Sequence, residues 1–230
     1  MGGKSSETGV PSRAAQERTF RTRLLRWFDK HGRDLPWRRT RDPYRVLVSE
    51  VMLQQTQVSR VEAYYARFLK AFPTLDHLAA ATPRTVREQW DGLGYYRRAG
   101  NLHRLARQVV ALHDGIIPDD LDRLRALPGV GRYTAGAVLS FAYERRAPAV
   151  DTNVGRVIRR AFHPRASRDA RGDRTVWNTA AQLIPKSRKR VWAFNQAVME
   201  LGALICTSRI ARCDQCPVRA ACATGRRKDV

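Results

Sequence analysis

The sequence predicts an all-α protein. Apolar residues recur three or four positions apart through long segments of the 230-residue chain, which is the period of an amphipathic helix. Turns that contain proline and glycine divide these segments into pieces of helical length. No segment predicts a strand, and the sequence contains no internal repeat. The length allows one large domain or two small ones, each with its own core.

The N-terminal half predicts a polar tail followed by a series of helices. Residues 1–12 are rich in Gly and Ser and are expected to be disordered. A helix over 14–29 places apolar residues on one face and arginines on the other. After two proline-containing turns, the apolar spacing over 44–70 predicts one or two helices. Shorter helices are expected at 75–81, 83–90 and 95–113, and residues 121–127 lead into the following hairpin.

The C-terminal half begins with a helical hairpin over 127–153 and a helix over 154–162. The Arg-rich residues 163–173 are expected to form an irregular surface loop. Two further helices follow at 175–184 and 191–205, with a basic turn between them.

Basic residues outnumber acidic ones by 43 to 21, which gives a formal net charge of +22 and a pI near 11.2. Such a chain attracts polyanions, and its affinity for them should fall steeply with salt. The sequence shows no apolar run of the roughly 18 residues that a membrane span needs, and no secretory signal. The expected location is therefore the cytosol, where disulfides are rare.

The segment 127–153 carries the clearest indication of function. Gly129 and Gly131 allow a tight turn between two helices with exposed backbone amides. These amides and the positive end of a helix dipole predict a phosphate site. The segment ends at Asp151 and Asn153, a carboxylate and an amide within an apolar frame. An ordinary hairpin in which Asp151 only caps the next helix fits these residues equally well.

Two other features have both a functional and a purely structural interpretation. Glu50 lies among apolar residues of a predicted helix, where an exposed side chain is the usual case. In a dry pocket its pKa would rise, and it would become a usable general acid. The run GLGYYRR (92–98) could wedge an aromatic ring between DNA bases, although the pattern alone favours a helix cap with two packed tyrosines.

The four cysteines lie close together near the C-terminus with the spacing C-x6-C-x2-C-x5-C; they are Cys206, Cys213, Cys216 and Cys222. Four thiolates on one short loop are the ligand set of an iron–sulfur cluster or a structural zinc ion. The unequal spacing does not resemble two zinc knuckles. Because no open coordination position is implied, a structural and DNA-docking role is expected.

Together these residues resemble the helix-hairpin-helix DNA glycosylases of the endonuclease III superfamily, and within it the MutY-type adenine DNA glycosylases. The similarity extends from about Leu35 to Cys222. It is carried by LPWRRTRDPYRVLVSEVMLQQTQV (35–58), WDGLGYYRRAGNLH (90–103), LPGVGRYTAGAV (127–138), VDTNVGRV (150–157) and AFNQAVMELGALIC (193–206).

The resemblance implies two domains: a six-helix barrel over 31–135 that contains the helix-hairpin-helix, and an iron–sulfur cluster domain formed by 13–30 and 136–226. The cysteines would hold a 4Fe–4S cluster. The backbone at Gly129 and Gly131 would grip a phosphate, with a bound monovalent cation (Na⁺ or K⁺). The implied partner is double-stranded DNA with a mismatched or damaged base, and the protein is expected to be a nucleoid-associated cytoplasmic monomer.

The resemblance also implies roles for the site residues. Glu50 would protonate the departing base and Asp151 would stabilise the oxocarbenium-like sugar, so their surroundings should push their pKa values apart. Tyr133 and Asn153 would support that transition state. The implied DNA-contacting residues are Gln55 and Tyr95, which enter the base stack, and Arg38, Leu53 and Gln196, which line the adenine pocket.

The implied reaction is hydrolytic removal of a flipped base, adenine opposite 8-oxoguanine or guanine, in base excision repair. Bifunctional relatives carry a Lys where this chain has Tyr133, and without an amine no Schiff base forms readily, so a monofunctional enzyme is expected. Adenine glycosylases resembling this sequence continue into a C-terminal domain that checks for 8-oxoguanine, whereas this sequence stops soon after Cys222.

Two alternatives stay open. The G·T and G·U mismatch thymine and uracil glycosylases of the superfamily are also short and have Tyr in the hairpin. Thr152 stands where adenine glycosylases usually have Gly, but the run QQTQV and Gln196 favour adenine. The second alternative is a non-catalytic DNA-binding module, against which the presence of both Glu50 and Asp151 argues.

Overall fold

A computed structural model of the chain describes residues 12–227 and confirms the all-helical fold. Within that range no strand is present, and one isolated bridge pairs Cys206 with Ala211. The α-helices are α1 (Arg13–His31), α2 (Pro43–Leu53), α3 (Val58–Ala71), α4 (Leu75–Ala80), α5 (Pro83–Trp90), α6 (Arg97–Leu112), α7 (Leu121–Arg125), α8 (Arg132–Phe141), α9 (Thr152–Phe162), α10 (Ala170–Leu183), α11 (Arg188–Leu204) and α12 (Ala223–Arg226). Short 3₁₀ helices occupy Pro36–Arg38, Cys213–Gln215 and Arg219–Ala221.

Side-chain caps begin half of the helices that have ten or more residues, namely α1, α2, α9 and α10. The predicted tail over 1–12 lies outside the described residues except for Ser12, whose hydroxyl accepts a hydrogen bond from the Ala15 amide (3.3 Å) and caps α1. Asp169 caps α10 by accepting from the Gly172 amide (2.9 Å). This cap starts the helix at 170, so the prediction of irregular structure through 173 was wrong at its end.

Buried apolar side chains form two clusters. The first contains residues of α2 to α8 and surrounds the fully buried Trp90. The second joins α1 to α9, α10 and α11 around Phe20 and Phe194. Trp192 and Met199 of α11 pack against both clusters, so this helix forms the wall between them. The predicted domain bounds stay a prediction. Among the helices of the described range, none is long and apolar enough to cross a membrane.

Gly136 allows α8 to pack against the segment that leads to Asp151. A Cβ on Gly136 would lie 2.1 Å from the Pro148 carbonyl oxygen, and backbone atoms cannot yield as a flexible side chain can. The close approach of α8 therefore depends on the missing side chain.

Replacing Gly136 by Ala should lower the free energy of unfolding by about 2 kcal/mol, because the clash outweighs the better helix propensity of Ala. Denaturant-induced unfolding measures the change. The matched control is Gly100→Ala in α6, where no atom lies within 4 Å of the added Cβ. The control should raise stability by roughly 0.5–1 kcal/mol. Equal stability of Gly136→Ala and the parent would contradict the close approach.

Candidate active site

A cavity of about 630 Å³ opens between the two clusters of buried side chains. It is lined by α2 and the loop after it, by α8, by the start of α9 and by α11. The cavity brings together the predicted site residues Arg38, Glu50, Leu53, Gln55, Tyr133, Asp151, Asn153 and Gln196. Tyr95, Gly129, Gly131 and the four cysteines do not line this cavity.

Glu50 is buried in α2, with 4% of its surface exposed. The helical pattern alone favoured an exposed side chain, and that interpretation was wrong. The Tyr133 hydroxyl donates a hydrogen bond to Glu50 Oε2 (2.6 Å). Burial raises the pKa of Glu50 to about 7, and the neighbouring Asp151 charge adds to the rise, whereas the Tyr133 hydrogen bond opposes it. A carboxyl with this pKa can give up a proton at neutral pH.

Asp151 caps α9 and is mostly buried. Its Oδ1 accepts from the Val154 amide (2.7 Å), and its Oδ2 accepts from Asn153 Nδ2 (3.0 Å). Burial raises the pKa of Asp151, and these hydrogen bonds oppose the rise because they favour the ionised form. Asp151 is therefore both a helix cap and a carboxylate of the cavity, so the two interpretations of this residue are compatible.

A chain of hydrogen bonds links Asp151 to the first cysteine. Asn153 donates to Asp151, and Asn153 Oδ1 accepts from Arg156 Nη2 (2.7 Å). Arg156 Nε donates to the Cys206 carbonyl oxygen (2.7 Å). Gly202 permits this arrangement, because a Cβ there would lie 2.7 Å from the Cβ of Asn153. The start of the cysteine loop and the amide that holds Asp151 therefore share one guanidinium group.

A buried ion pair shapes the opposite wall. Glu200 is fully buried, and its two oxygens accept from Arg33 Nε (2.7 Å) and Arg38 Nη2 (2.9 Å). Arg38 Nε donates to Gln196 Oε1 (2.8 Å). Because a guanidinium group can only donate, the Gln196 amide must present its oxygen to Arg38. The N–H groups of Gln196 are then available to an acceptor in the cavity.

Several cavity residues were missed from the sequence. They are Arg33, Trp37, Thr56, Met199 and Glu200. Glu200 had a detectable signal, since it is an acidic residue one helical turn after Gln196 within the apolar α11. Arg33 and Trp37 had none, because residues before and within a short 3₁₀ helix follow no periodic pattern.

Two exposed side chains lie on turns near the cavity. Gln55 and Tyr95 both have left-handed backbone conformations, with φ values of 56° and 48°. Tyr95 is 61% exposed and Tyr96 is 37% exposed, so the interpretation of both as packed tyrosines was wrong. An exposed aromatic ring on a tight turn is able to enter a base stack.

The helix-hairpin-helix turn lies between α7 and α8. Gly129 has φ 79°, and a Cβ there would lie 2.8 Å from the side chain of Asn101. Gly131 precedes α8, and no side chain of the described range caps that helix. The first amides of α8 therefore remain available to an external acceptor. Arg132 stacks on Trp177 at 3.9 Å, which holds a positive charge beside the turn.

Four thiols surround a small cavity beside α9; they belong to Cys206, Cys213, Cys216 and Cys222. Cys206 Sγ accepts a hydrogen bond from Arg160 Nη1 (3.3 Å), and Cys222 Sγ accepts from the Gly225 amide (3.3 Å). Within the described part of the chain, no three His, Cys, Asp or Glu side chains are placed to hold a single metal ion. In a cluster of four iron atoms each thiolate binds a different iron, so the four sulfurs need not converge on one point. Four thiols around one cavity are the donor set of either an iron–sulfur cluster or a zinc ion.

A basic cavity of about 760 Å³ borders Asp151 and Thr152 and extends along α9 to α10 and the cysteine loop. Its arginines are Arg156, Arg159, Arg160 and Arg168. This surface extends the positive charge of the hairpin turn toward the cysteines, as a path for a polyanion requires.

The family model described as "HhH-GPD superfamily base excision DNA repair protein" matches residues 48–182. The chain belongs to this superfamily. The matched region includes Glu50, the hairpin turn and Asp151.

Two curated relatives that are similar to most of this chain are adenine DNA glycosylases. An adenine DNA glycosylase of Mycolicibacterium smegmatis is 46% identical over 196 residues, which cover 85% of this chain and 66% of that protein. The human adenine DNA glycosylase is 44% identical over 218 residues, which cover 90% of this chain and 40% of the human protein. The chain thus spans less than two thirds of the length of these relatives.

Solved HhH-GPD structures share the fold. A thermostable thymine-DNA glycosylase superposes with a TM-score of 0.87 at 28% identity, covering 94% of this chain and all of that one. Endonuclease III trapped as a covalent intermediate with DNA superposes with a TM-score of 0.78 at 25% identity, covering 94% and 98%. These similarities confirm the predicted helix-hairpin-helix glycosylase fold.

Glu50→Gln should stabilise the protein at high pH. Because burial raises the folded-state pKa from 4.5 to about 7, the stability that Glu50 contributes is full below pH 4.5 and is lost as the pH rises through about 7. Gln stays neutral at every pH. The free energy of unfolding of the variant should therefore be about 3 kcal/mol higher than that of the parent above pH 7 and equal to it near pH 4.5. Urea unfolding at both pH values measures the difference.

The matched control is Glu88→Gln, which removes a carboxylate from an exposed pair with Arg84 (2.9 Å). Its effect should stay within about 0.5 kcal/mol at both pH values. A Glu50→Gln effect that does not change with pH would contradict the raised pKa.

Proposed function

We propose that this chain is a DNA glycosylase of base excision repair that removes adenine mispaired with 8-oxoguanine or guanine. The observation that carries the proposal is the shared cavity of Glu50 and Asp151, in which Tyr133 holds Glu50 by a 2.6 Å hydrogen bond. The names of the adenine glycosylase relatives support the choice of base.

Glu50 supplies the proton in the proposed reaction. Once the base is flipped into the cavity, Glu50 protonates a ring nitrogen, so the base leaves as a neutral molecule when its bond to the sugar breaks. Glu50 Oε2 is engaged by Tyr133, whereas Oε1 makes no hydrogen bond to the described residues and is available to the base. Its pKa of about 7 leaves a substantial protonated fraction at neutral pH.

Asp151 stabilises the positive charge that develops on the sugar as the bond breaks. Asn153 and the α9 amides hold both carboxylate oxygens, so the group is oriented before the reaction. Water then adds to the sugar carbon and gives a proton to the Glu50 carboxylate that the first step left ionised, which completes hydrolysis and restores the acid. Arg38, Leu53 and Gln196 line the base pocket, and the Gln196 N–H groups donate to acceptor atoms of the base.

A thymine glycosylase acting on G·T or G·U mismatches is the second candidate. The observation in its favour is the TM-score of 0.87 with a thymine-DNA glycosylase, at an identity of 28%. The higher identity to adenine glycosylases, 46%, makes adenine the first choice.

The cofactor in this proposal is a 4Fe–4S cluster on Cys206, Cys213, Cys216 and Cys222. When bound, a cluster of this kind cross-links the loop between them and fixes its backbone. Arg160 and the Gly225 amide donate to two of the sulfurs, as expected for thiolate ligands.

The proposed partner is double-stranded DNA, bound by the protein as a monomer. The turn at Gly129 and Gly131 grips a backbone phosphate together with a monovalent cation. Gln55 and Tyr95 enter the base stack around the mismatch. The net charge of +22 supports this assignment.

A base-release screen tests the proposed function. The purified chain is incubated with duplexes that contain A·8-oxoG, A·G, T·G, U·G or hypoxanthine pairs, and the freed base is measured. Release from one or both adenine mispairs is expected. Asp151→Asn and Glu50→Gln should each lower the single-turnover rate by at least a hundredfold, because each removes a charge or proton used only in the transition state.

Release of thymine or uracil with inert adenine mispairs would transfer the assignment to the second candidate, and no release from any duplex would support a binding module. The control variant is Glu88→Gln, which is distant in sequence from the cavity residues and exposed. Each preparation is analysed for iron, zinc and acid-labile sulfide. Zinc in place of iron and sulfide would contradict the cofactor assignment.

We further propose that base removal occurs without strand cleavage. Tyr133 offers a hydroxyl that is already bound to Glu50 and no amine that could form a Schiff base. Borohydride trapping should therefore give no efficient covalent adduct with the parent chain. Tyr133→Lys places an amine at this position and should give a detectable adduct, which also serves as the positive control. Efficient trapping by the parent would contradict the proposal.

A further inference from the structure

Arg98 is a buried cation at the start of α6 with no carboxylate partner among the described residues. It is 8% exposed, and its guanidinium lies over the rings of Trp90 (5.4 Å) and Tyr95 (5.5 Å). Burying a charge in this way is costly unless many hydrogen bonds compensate. The hydrogen bonds that compensate for the burial of Arg98 indicate its role.

The two amino groups of Arg98 together donate hydrogen bonds to two turns of the chain. Nη1 donates to the carbonyl oxygens of Val51 (3.0 Å), Met52 (2.7 Å) and Gln54 (2.5 Å) at the end of α2. Nη2 donates to Thr56 Oγ1 (3.0 Å) in the same turn and to the carbonyl oxygens of Leu93 (3.4 Å) and Gly94 (3.1 Å) in the other. One planar group therefore joins the turns at 54–57 and 92–96.

Arg98 donates hydrogen bonds to the residues on either side of Gln55 and to the residue just before Tyr95. Gln55 lies between Gln54 and Thr56, and Tyr95 follows Gly94. Gln55 and Tyr95 are also the non-glycine residues of these turns with positive φ, at 56° and 48°. A left-handed conformation costs about 1–2 kcal/mol for such residues, so each turn needs contacts that keep it in place.

We propose that Arg98 is a positioning residue that fixes Gln55 and Tyr95 as one preorganised pair of DNA-inserting side chains. The inference rests on the proposed function, because it requires that both side chains enter the base stack. Because Arg98 holds both turns in the free protein, the turns are already ordered before DNA binds. DNA binding then loses less conformational entropy, and the two side chains arrive at a fixed separation.

Arg98→Lys tests this inference. Lys keeps the positive charge, but a single ammonium group cannot reach both turns in the way that a guanidinium fork does. Duplex affinity is measured with 8-oxoguanine opposite a stable abasic analogue, and base release is measured with A·8-oxoG. Both should fall on the order of 10- to 100-fold, as expected when a side chain is misplaced by about 1 Å. Arg107→Lys, an exposed change on the same helix, should leave both values unchanged.

A double-mutant cycle separates positioning from a merely structural role. If Arg98 acts through Tyr95, then Arg98→Lys should weaken duplex binding by no more than about twofold in a Tyr95→Ala background. The same result is expected with Gln55→Ala. If the losses multiply in both backgrounds, Arg98 supports the fold in general and the inference is overturned.

Thr56→Val is the milder second variant if Arg98→Lys does not fold. It removes one acceptor of Nη2 while keeping the shape of the side chain. Duplex affinity and base release should fall less than in Arg98→Lys, and the loss of affinity should again be non-additive with Tyr95→Ala and with Gln55→Ala. The binding measurement does not depend on catalysis. A parent that binds the duplex but releases no base would therefore refute the proposed function alone, whereas a parent without duplex affinity would refute both.

Discussion

The hydrogen bond between Tyr133 and Glu50 is the contact on which the rest of the site depends. It joins α2 to α8 at the wall of the cavity, beside the first cluster of buried side chains. The bond fixes one carboxyl oxygen, while burial holds the carboxyl near the midpoint of its titration at neutral pH. A folded state that buries this group is less stable above that pH than it would be with a neutral amide, so stability and acid function oppose each other here.

Helix α11 sets the position of the second acid relative to the first. Asn195 donates to Ser140 (2.8 Å) and to the Ala147 carbonyl oxygen (3.0 Å), which ties α11 to α8 and to the segment before Asp151. One helical turn further, Glu200 holds Arg38 beside Gln196, and Gly202 makes room for Asn153. A single helix therefore lines the cavity on one side and supports Asp151 on the other. Because the anchor, the ion pair and the glycine lie within eight residues, a shift of α11 would change all three together.

Most helix positions could be predicted from the sequence, and the interior of the site could not. Periodic apolar residues locate the helices, and Asp151 is recognisable because caps, amides and motif coincide there. Burial of Glu50 depends on α8 and α11, which are distant in sequence, so its helical pattern alone pointed to the surface. The break between α2 and α3 required the left-handed Gln55, and the residue that stabilises it, Arg98, is one arginine among many basic residues. Long-range hydrogen bonds leave no local signal.

The basic composition has two separate physical uses. The chain has 43 basic residues and only 21 acidic ones, so about half of the basic side chains cannot have a carboxylate partner of their own. Some of them instead donate to backbone carbonyl oxygens that helix ends and loops leave without a donor, as Arg98 does after α2 and as Arg156 and Arg160 do at Gly202, Cys206 and Thr207. These contacts are at least partly buried and are weakly screened by salt, whereas the exposed charges that attract a polyanion are strongly screened. Salt should therefore weaken the attraction to a polyanion while leaving the site assembled, a distinction that net charge alone does not reveal.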